Sequence, residues 1–192
     1  HEPIEMQHMN IDMLASCGHK GIHGMQGVGI LVIKKDIALK HILFGGTGTD
    51  SDVLTQPDHM PEGYECGTIN TGGILSLSKA FDWTYSNFAT LNRHYKYLSS
   101  EILYGLKSMP KIICYSDFPS TVISIKADGY SSNEVAEHLN NHNIAVRSGL
   151  HCAPKIHSHL GTIEDGLCRI SIGYNNSIND CHTLLNALSK LN

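Results

Sequence analysis

Residues 16–31, with the sequence SCGHKGIHGMQGVGIL, decide how the first part of the chain folds. The apolar segment at residues 11–16 and the aliphatic, β-branched run at residues 27–34 are both typical of short buried strands. The glycines that lie between these two segments predict a tight turn. Lys20 is therefore expected at the end of a core strand, inside a glycine-rich turn.

Two interpretations of Lys20 stay open on position alone. A lysine at the end of a core strand is costly unless it is paired or covalently used, and burial favours the neutral amine that Schiff-base chemistry needs. The neighbouring glycines would also let a large flat ligand approach the backbone. A solvated lysine at a strand end is the more common arrangement, so the position by itself does not decide between them.

The rest of the chain predicts a long helix followed by a small mixed domain. Residues 45–73 contain many Gly, Thr, Pro and Asp residues and few periodic apolar residues, which predicts a loop. Apolar residues then recur every three or four positions from Phe88 to Met109, which predicts an amphipathic helix that ends near Pro110. The elements predicted after it are strands at 111–115 and 121–126, a helix capped by Ser131 and Glu134, strands at 144–147 and 167–173 separated by an irregular loop, and a final helix with one apolar face.

These patterns predict an α/β fold in three parts. Residues 1–84 hold two or three strands and long loops, too few to form a sheet with both faces covered. Residues 85–110 are predicted to form a linking helix, and residues 111–192 a complete small α+β domain with helices on one face of a sheet.

Composition excludes several classes of function. The formal net charge is -4 and there is no basic block, so nucleic-acid binding has no electrostatic support. No apolar run approaches the ~20 residues that a membrane helix needs, and no leader sequence is evident. The six cysteines form no C-x-x-C pair, which favours a reducing, cytoplasmic environment over a disulfide framework.

Cys152 lies in the loop VRSGLHCAPKIHSHLG, at residues 146–161, between two predicted strands. Positively charged neighbours favour the thiolate, which is the nucleophilic form of cysteine, and loops are where mobile reactive groups belong. A free surface cysteine is the plain alternative. A metal site formed with His151, His157 and His159 is another, although these spacings match no common zinc pattern. No metal is predicted.

Arg169 lies inside the apolar strand LCRISIG, at residues 167–173, where a guanidinium group needs a partner. A substrate carboxylate would fit the planar fork of the guanidinium group. An internal salt bridge with Glu164 or Asp165 is the more common solution for a lone arginine.

Four segments, taken in order, resemble the class V aminotransferase family in its cysteine desulfurase branch, which is similar to selenocysteine lyases. SCGHKGIHGMQGVGIL resembles the cofactor-lysine segment, and YECGTINTGGILSL, at residues 64–77, resembles the E-x-G-T-x-N segment that follows it. IAVRSGLHCAP, at residues 144–154, resembles the catalytic-cysteine loop. The closing strand and helix match GLCRISIGYNNSINDCHTLLNAL, at residues 166–188. The resemblance covers essentially the whole chain and implies the fold of the large, aspartate-aminotransferase-like enzymes that use pyridoxal 5'-phosphate (PLP).

The resemblance also implies which residues hold the cofactor. Lys20 would form the Schiff base with PLP, and His19 would lie at the cofactor near its phosphate. Cys17 stands where many relatives carry a phosphate-binding serine, which weakens the expected hold on that phosphate. Thr68 would reach the phosphate of the partner subunit's cofactor, which implies a homodimer.

The same resemblance assigns the reacting groups. Arg169 would bind the carboxylate of the substrate L-cysteine, and Arg147 and His151 would line the mouth of the site. Cys152 would attack the substrate sulfur and keep it as a persulfide, with release of alanine, before passing it to a thiol or a sulfur-acceptor protein.

The family pattern extends upstream of His1, where relatives carry an Asp-x-x-Gln pair and an N-terminal phosphate loop. The chain therefore resembles a C-terminal half, and it is expected to bind PLP weakly or not at all without an N-terminal segment and to have little activity alone. The alternatives are another class V enzyme, such as a selenocysteine lyase or an aminotransferase, and a non-catalytic folded remnant that serves as a scaffold.

Overall fold

The computed structural model describes residues 2–49 and 52–191 and divides the chain into two compact units, one up to Phe88 and one from Ala89 onwards. Asp50 and Ser51, which fall in the segment predicted as a loop, lie outside the described residues. The elements in chain order are β1 (Met13–Cys17), β2 (Gly29–Ile33), α1 (Thr71–Leu106), β3 (Ile112–Cys114), β4 (Val122–Ala127), α2 (Ser132–Asn140), α3 (Pro154–Leu160), β5 (Cys168–Ser171) and α4 (Ile178–Leu188).

The first unit is built on a hairpin in which β1 and β2 pair antiparallel, from Met13 opposite Ile33 to Cys17 opposite Gly29. Both strands were predicted from sequence, but the prediction that they are buried is wrong for this chain, because Leu31 and Val32 are 57% and 42% exposed. The helix of the same unit packs against the turn of the hairpin instead of against its strands. A Cβ added to Gly18 or Gly24 would lie 2.9 or 3.0 Å from Cδ1 of Leu77.

Helix α1 begins at Thr71, well before the start that periodicity predicts near Phe88. Asn70 stabilises this early start, since its Oδ1 accepts a hydrogen bond from the backbone N–H of Gly73 at 3.0 Å. The apolar side chains of the first turns gave no helical signal because they do not form one buried stripe. Leu75 and Phe81 are 63% and 50% exposed.

The second unit contains an antiparallel sheet in the order β3-β4-β5. The strand predicted at 144–147 does not form, and only its last residue joins the sheet, through a bridge between Arg147 and Arg169. Gly149 and Leu167 add a second pair of backbone hydrogen bonds, at 3.1 Å each. Further pairing is prevented because Gly149 and Gly166, at φ 96° and 65°, turn both segments away from the sheet.

Helix caps explain where the helices of this unit begin and end. The predicted capping box of Ser131 and Glu134 is confirmed at the start of α2. Helix α3 was missed, because its seven residues carry no apolar periodicity and were interpreted as an irregular loop. It has Pro154 in its first turn and ends at Gly161 in the left-handed conformation.

The core of the second unit joins the sheet to α1, α2 and α4. Its fully buried members include Leu98, Ile123, Ile125, Leu139, Leu188, Val135 and Cys168. The covered strand β4 alternates buried and more accessible positions, as a strand with one core face should.

Truncation of a core residue is expected to be costly. Leu139 is 0% exposed, so Leu139→Ala should lower the free energy of unfolding by about 2–5 kcal/mol through lost burial and the cavity left behind. The matched control is Ile113→Ala, at a position 49% exposed, which should change stability by less than about 1 kcal/mol. Urea unfolding followed by circular dichroism would measure both, and equal losses would contradict this description of the core.

Across residues 2–49 and 52–191, no helix is both long enough and apolar enough to cross a bilayer.

Candidate functional site

The residues predicted to carry the chemistry fall into two groups, one in each unit. Cys17, His19, Lys20 and Thr68 belong to the first unit. Arg147, His151, Cys152 and Arg169 belong to the second unit. Each group has its own local geometry.

Lys20 lies in the turn of the β1–β2 hairpin. Backbone hydrogen bonds close this turn, from Gly18 N–H to Val28 O at 3.0 Å and from Gly24 N–H to Gly18 O at 2.9 Å. Of the two interpretations left open for Lys20, this structure matches the solvated lysine, since the side chain is exposed. No ion pair or hydrogen bond engages its amine in the part of the chain that the structure describes, so the amine is uncommitted.

The glycines around Lys20 fix the backbone of the turn. Gly18 is buried, and a Cβ there would lie 2.9 Å from both Leu77 Cδ1 and Val28 O. Any side chain at this position would therefore push the turn away from α1. Because only glycine fits, the turn holds Lys20 at a fixed place relative to the start of the helix.

The other residues of the first group lie on or beside the same turn. Cys17 is half-buried at the end of β1, and His19 is exposed next to Lys20. Thr68 is exposed just before α1, and its segment passes the turn, since Asn70 Nδ2 would be 3.9 Å from a Cβ on Gly27. The structure thus brings the predicted cofactor residues of this unit to one end of the hairpin.

The loop that carries Cys152 has an unusual backbone. His151 and Cys152 both have left-handed φ angles, 52° and 60°, which side-chain-bearing residues adopt only at a cost. Leu150 O accepts a hydrogen bond from Ala153 N–H at 2.8 Å and closes the turn around them. The thiol of Cys152 is exposed, and Arg147 Nη2 donates to its Sγ at 3.7 Å. The guanidinium group of Arg147 therefore lies directly against the exposed sulfur atom.

Arg147 and Arg169 lie side by side across the bridge. Each donates its backbone N–H to the other's carbonyl, at 3.1 and 2.7 Å, so the two residues are directly opposite and their side chains share one face. Like charges in this arrangement repel each other unless an anion lies between them. Nε of Arg169 is buried and has no hydrogen-bond partner in the described parts of the chain.

The salt bridge offered as the alternative role of Arg169 does not form with Asp165. That carboxylate instead accepts from Lys126 Nζ at 2.6 Å, and this contact raises the pKa of Lys126. Neither Glu164 nor any other described carboxylate pairs with Arg169. The arginine pair is therefore available for an external anion such as a carboxylate.

His151 belongs to the cysteine loop and contacts the backbone of Arg147. Its Nε2 donates to the backbone oxygen of Arg147 at 3.0 Å, which fixes the proton on that nitrogen. Burial lowers the pKa of His151, and the cationic charge of Arg169, His157 and Arg147 lowers it further, against the opposing effect of the hydrogen bond. The imidazole is consequently neutral at neutral pH.

This lowered pKa predicts an acid-sensitive contribution to stability. The unfolded chain takes up the proton first, near the ordinary value of 6.5, so the stabilisation is present above that pH and is lost as the pH falls toward the lower folded value. The variant His151→Gln keeps an N–H donor but cannot titrate. Its melting temperature should fall less than that of the parent chain between about pH 7.5 and about pH 5.5. Parallel losses in both proteins would contradict the assignment.

Two other cysteines of the second unit, Cys168 and Cys181, are inert by comparison. Cys168 is 0% exposed, and burial raises its pKa to about 12. Burial also raises the pKa of Cys181, whose Sγ lies 3.8 Å from Leu98 O.

A limited reaction with iodoacetamide should therefore label Cys152 first. We expect Cys168 and Cys181 to react at least about 10-fold more slowly in the folded chain, because their thiols are buried and stay protonated. Peptide mass spectrometry at successive times measures each rate. Equal rates at all three positions in folded protein would show that the loop does not expose its thiol.

Sequence reasoning did not give a role to His157, beyond the metal alternative. The structure places it on α3 directly after the cysteine loop, 2% exposed, with its ring 5.7 Å from that of His151. No group of three or more His, Cys, Asp or Glu side chains among the described residues is arranged to hold a metal ion. The sequence is rich in histidine, and no local pattern in it indicates that His157 is buried.

Comparison with known proteins identifies the class to which the chain belongs. The model of the family "Aminotransferase class-V" matches residues 1–184, so the chain belongs to that family.

Proteins similar to this chain include cysteine desulfurases. One from Enterobacter sp. (strain 638) is 30% identical over 100% of this chain and 48% of its own length. The apo structure of a cysteine desulfurase from Thermococcus onnurineus NA1 superposes with a TM-score of 0.86 at 29% identity, over 97% of this chain and 48% of that one. The cysteine desulfurase CsdA from Escherichia coli, in an S-sulfonic acid form, gives a TM-score of 0.88 at 26% identity, over 99% and 48%. The predicted family and fold are confirmed, and the chain spans about half the length of these relatives.

Family membership makes PLP the expected cofactor, and the residues present fit it. The amine of Lys20 is accessible and uncommitted, as covalent attachment of an aldehyde requires. The turn that carries this lysine is closed by its own backbone hydrogen bonds. When bound, PLP supplies an electron sink for the substrate's α-carbon.

Proposed function

We propose that the protein carrying this chain is a cysteine desulfurase that takes sulfur from L-cysteine onto Cys152 and releases alanine. The cysteine loop is the observation that carries the proposal. An exposed thiol on left-handed backbone lies 3.7 Å from a guanidinium group, beside a second arginine whose buried Nε has no partner in the described chain.

Arg169 binds the substrate carboxylate in this proposal. A carboxylate placed between Arg147 and Arg169 would relieve the repulsion between their side chains and give Nε of Arg169 the acceptor it lacks. L-cysteine presents such a carboxylate, and its thiol lies two bonds from the α-carbon. Arg147 contacts the Cys152 thiol and lies directly opposite Arg169. One small amino acid could therefore be bound by its carboxylate and attacked at its sulfur in this loop.

Cys152 acts as the nucleophile toward the substrate sulfur. The new S–S bond forms as the substrate C–S bond breaks, and the electron pair of that bond stays on carbon, which takes up a proton to become the methyl group of alanine. The substrate sulfur remains on the protein as Cys152–S–SH, a reversible modification of cysteine. A second thiol, free or on an acceptor protein, then removes it.

The residues of the first unit hold the cofactor. Lys20 provides the covalent link, and between steps its amine accepts and returns protons. His19 would lie at the cofactor, and Cys17 would lie near its phosphate. Thr68 would contact the phosphate of the partner subunit's cofactor, so the enzyme would work as a homodimer.

Product analysis tests the proposal. The natural polypeptide that carries this sequence, supplied with PLP, L-cysteine and dithiothreitol, should form alanine and sulfide in equal amounts. L-serine, which has the same carboxylate and amine but no sulfur, should give no alanine. Pyruvate and ammonia in place of alanine would indicate elimination chemistry and would overturn the proposal.

A further inference from the structure

His157 and Thr162 form a buried polar pair that the proposed reaction does not use. Each is 2% exposed. Nδ1 of His157 lies 2.9 Å from Oγ1 of Thr162, and Thr162 N–H donates to His157 O at the same distance. These two contacts bridge the left-handed Gly161 and close the C-terminal end of α3. The pair thus ties the helix to the segment that follows it.

The other side of His157 faces the cysteine loop. Its ring lies 5.7 Å from that of His151 at an interplanar angle of 55°. The backbone N–H of His157 donates to the backbone oxygen of Ala153 at 3.3 Å. His151 in turn bonds to the backbone of Arg147. A continuous line of contacts therefore runs from Thr162 through His157 and His151 to Arg147. Arg147 in turn contacts the sulfur of Cys152.

The backbone of the loop needs such support. Left-handed φ angles at His151 and Cys152 are unfavourable for residues with side chains, and conformations of this kind persist only where the surroundings fix them. Helix α3 begins two residues after Cys152, so any freedom of the helix would pass directly to the thiol. A buried threonine hydroxyl without a hydrogen-bond partner would be unfavourable, so the bond to His157 also stabilises the position of Thr162.

We infer that His157, bonded to Thr162, is a positioning residue that holds the Cys152 loop in its left-handed conformation with the thiol beside Arg147. The pair touches neither substrate nor cofactor and acts through His151 and the start of α3. This inference rests on the proposed function only for the role of Cys152 as the sulfur acceptor. The conformation itself is a property of the chain.

The test is the rate at which iodoacetamide labels Cys152 in the folded chain, with buried Cys168 as an internal monitor of unfolding. Thr162→Val removes the hydroxyl with almost no change of shape, whereas Thr162→Ser keeps it. We expect Thr162→Val to slow labelling of Cys152 by about fivefold while Cys168 stays protected, because the relaxed loop no longer keeps the sulfur at the guanidinium group. Thr162→Ser should stay within about twofold of the parent chain.

The histidine side gives an independent pair of variants. Asparagine places a hydrogen-bonding group close to the position of Nδ1, so His157→Asn should restore most of the rate that His157→Leu loses. If His157→Leu fails to fold, the threonine pair decides. If Thr162→Val lowers the unfolding midpoint but leaves the labelling rate of Cys152 unchanged, the pair stabilises the fold without positioning the loop. That result would overturn the inference. Labelling needs neither PLP nor L-cysteine, so a protein that forms no alanine yet shows the expected rates would refute only the proposed function.

Discussion

Replacement of Cys152 by serine is expected to abolish sulfur transfer, with alanine formation from L-cysteine falling at least about 100-fold. A serine hydroxyl has the same shape as a thiol and is somewhat smaller, but it is a far weaker nucleophile toward sulfur at neutral pH, and it cannot keep a sulfur atom as a persulfide. The backbone of the loop should be unaffected, because both residues carry a Cβ and meet the same left-handed constraint at φ 60°.

The control for this prediction is Cys114→Ser in the same unit. Cys114 is half-buried on β3, and its Sγ contacts Ser116 O at 3.5 Å, away from the loop. This variant should keep essentially full activity. Retention of desulfurase activity by Cys152→Ser would assign the sulfur-accepting role to another thiol.

Covalent attachment of PLP is expected to disappear in Lys20→Arg. The guanidinium group keeps the positive charge and similar length, but it stays protonated and does not form a Schiff base with an aldehyde. Treatment with PLP and borohydride, followed by peptide mass spectrometry, should show the cofactor on residue 20 of the parent polypeptide and none there in the variant. Activity should be lost with it, by at least about 100-fold.

Lys35→Arg is the matched control, since Lys35 is an exposed lysine of the same unit just after β2. Its replacement should leave labelling at Lys20 unchanged. Labelling spread evenly over the exposed lysines of the parent polypeptide would mean that Lys20 has no special place.

Short-range patterns in the sequence predicted the local elements well. Aliphatic runs predicted β1 and β2, and the Ser131–Glu134 pair predicted the start of α2, because the side chains that decide these features lie within a few residues of one another. The start of α1 was not predicted, because no local apolar pattern marks it. It depends on the cap at Asn70, and the following turns carry exposed apolar side chains that show no stripe.

The candidate site was only partly predictable. Cys152, Lys20 and Arg169 could be named from their motifs, but the pairing of Arg147 with Arg169 depends on strand register, which no local pattern specifies. The loss of Asp165 as a partner of Arg169 depends on Lys126, which is distant in sequence. The burial of His157 likewise becomes visible only once α3 has formed and Thr162 has folded back onto it.

The sulfur-accepting thiol is the point on which the proposed chemistry depends, and one mass spectrum tests it directly. The natural polypeptide that carries this sequence is mixed with PLP and a brief pulse of L-cysteine without reductant, blocked with iodoacetamide and digested. The peptide that contains Cys152 should gain the mass of one sulfur atom beneath the alkyl group and lose it again on reduction, while the peptides with Cys114 and Cys168 gain none. A sulfur atom found on another cysteine, or on none while alanine still forms, would contradict the account.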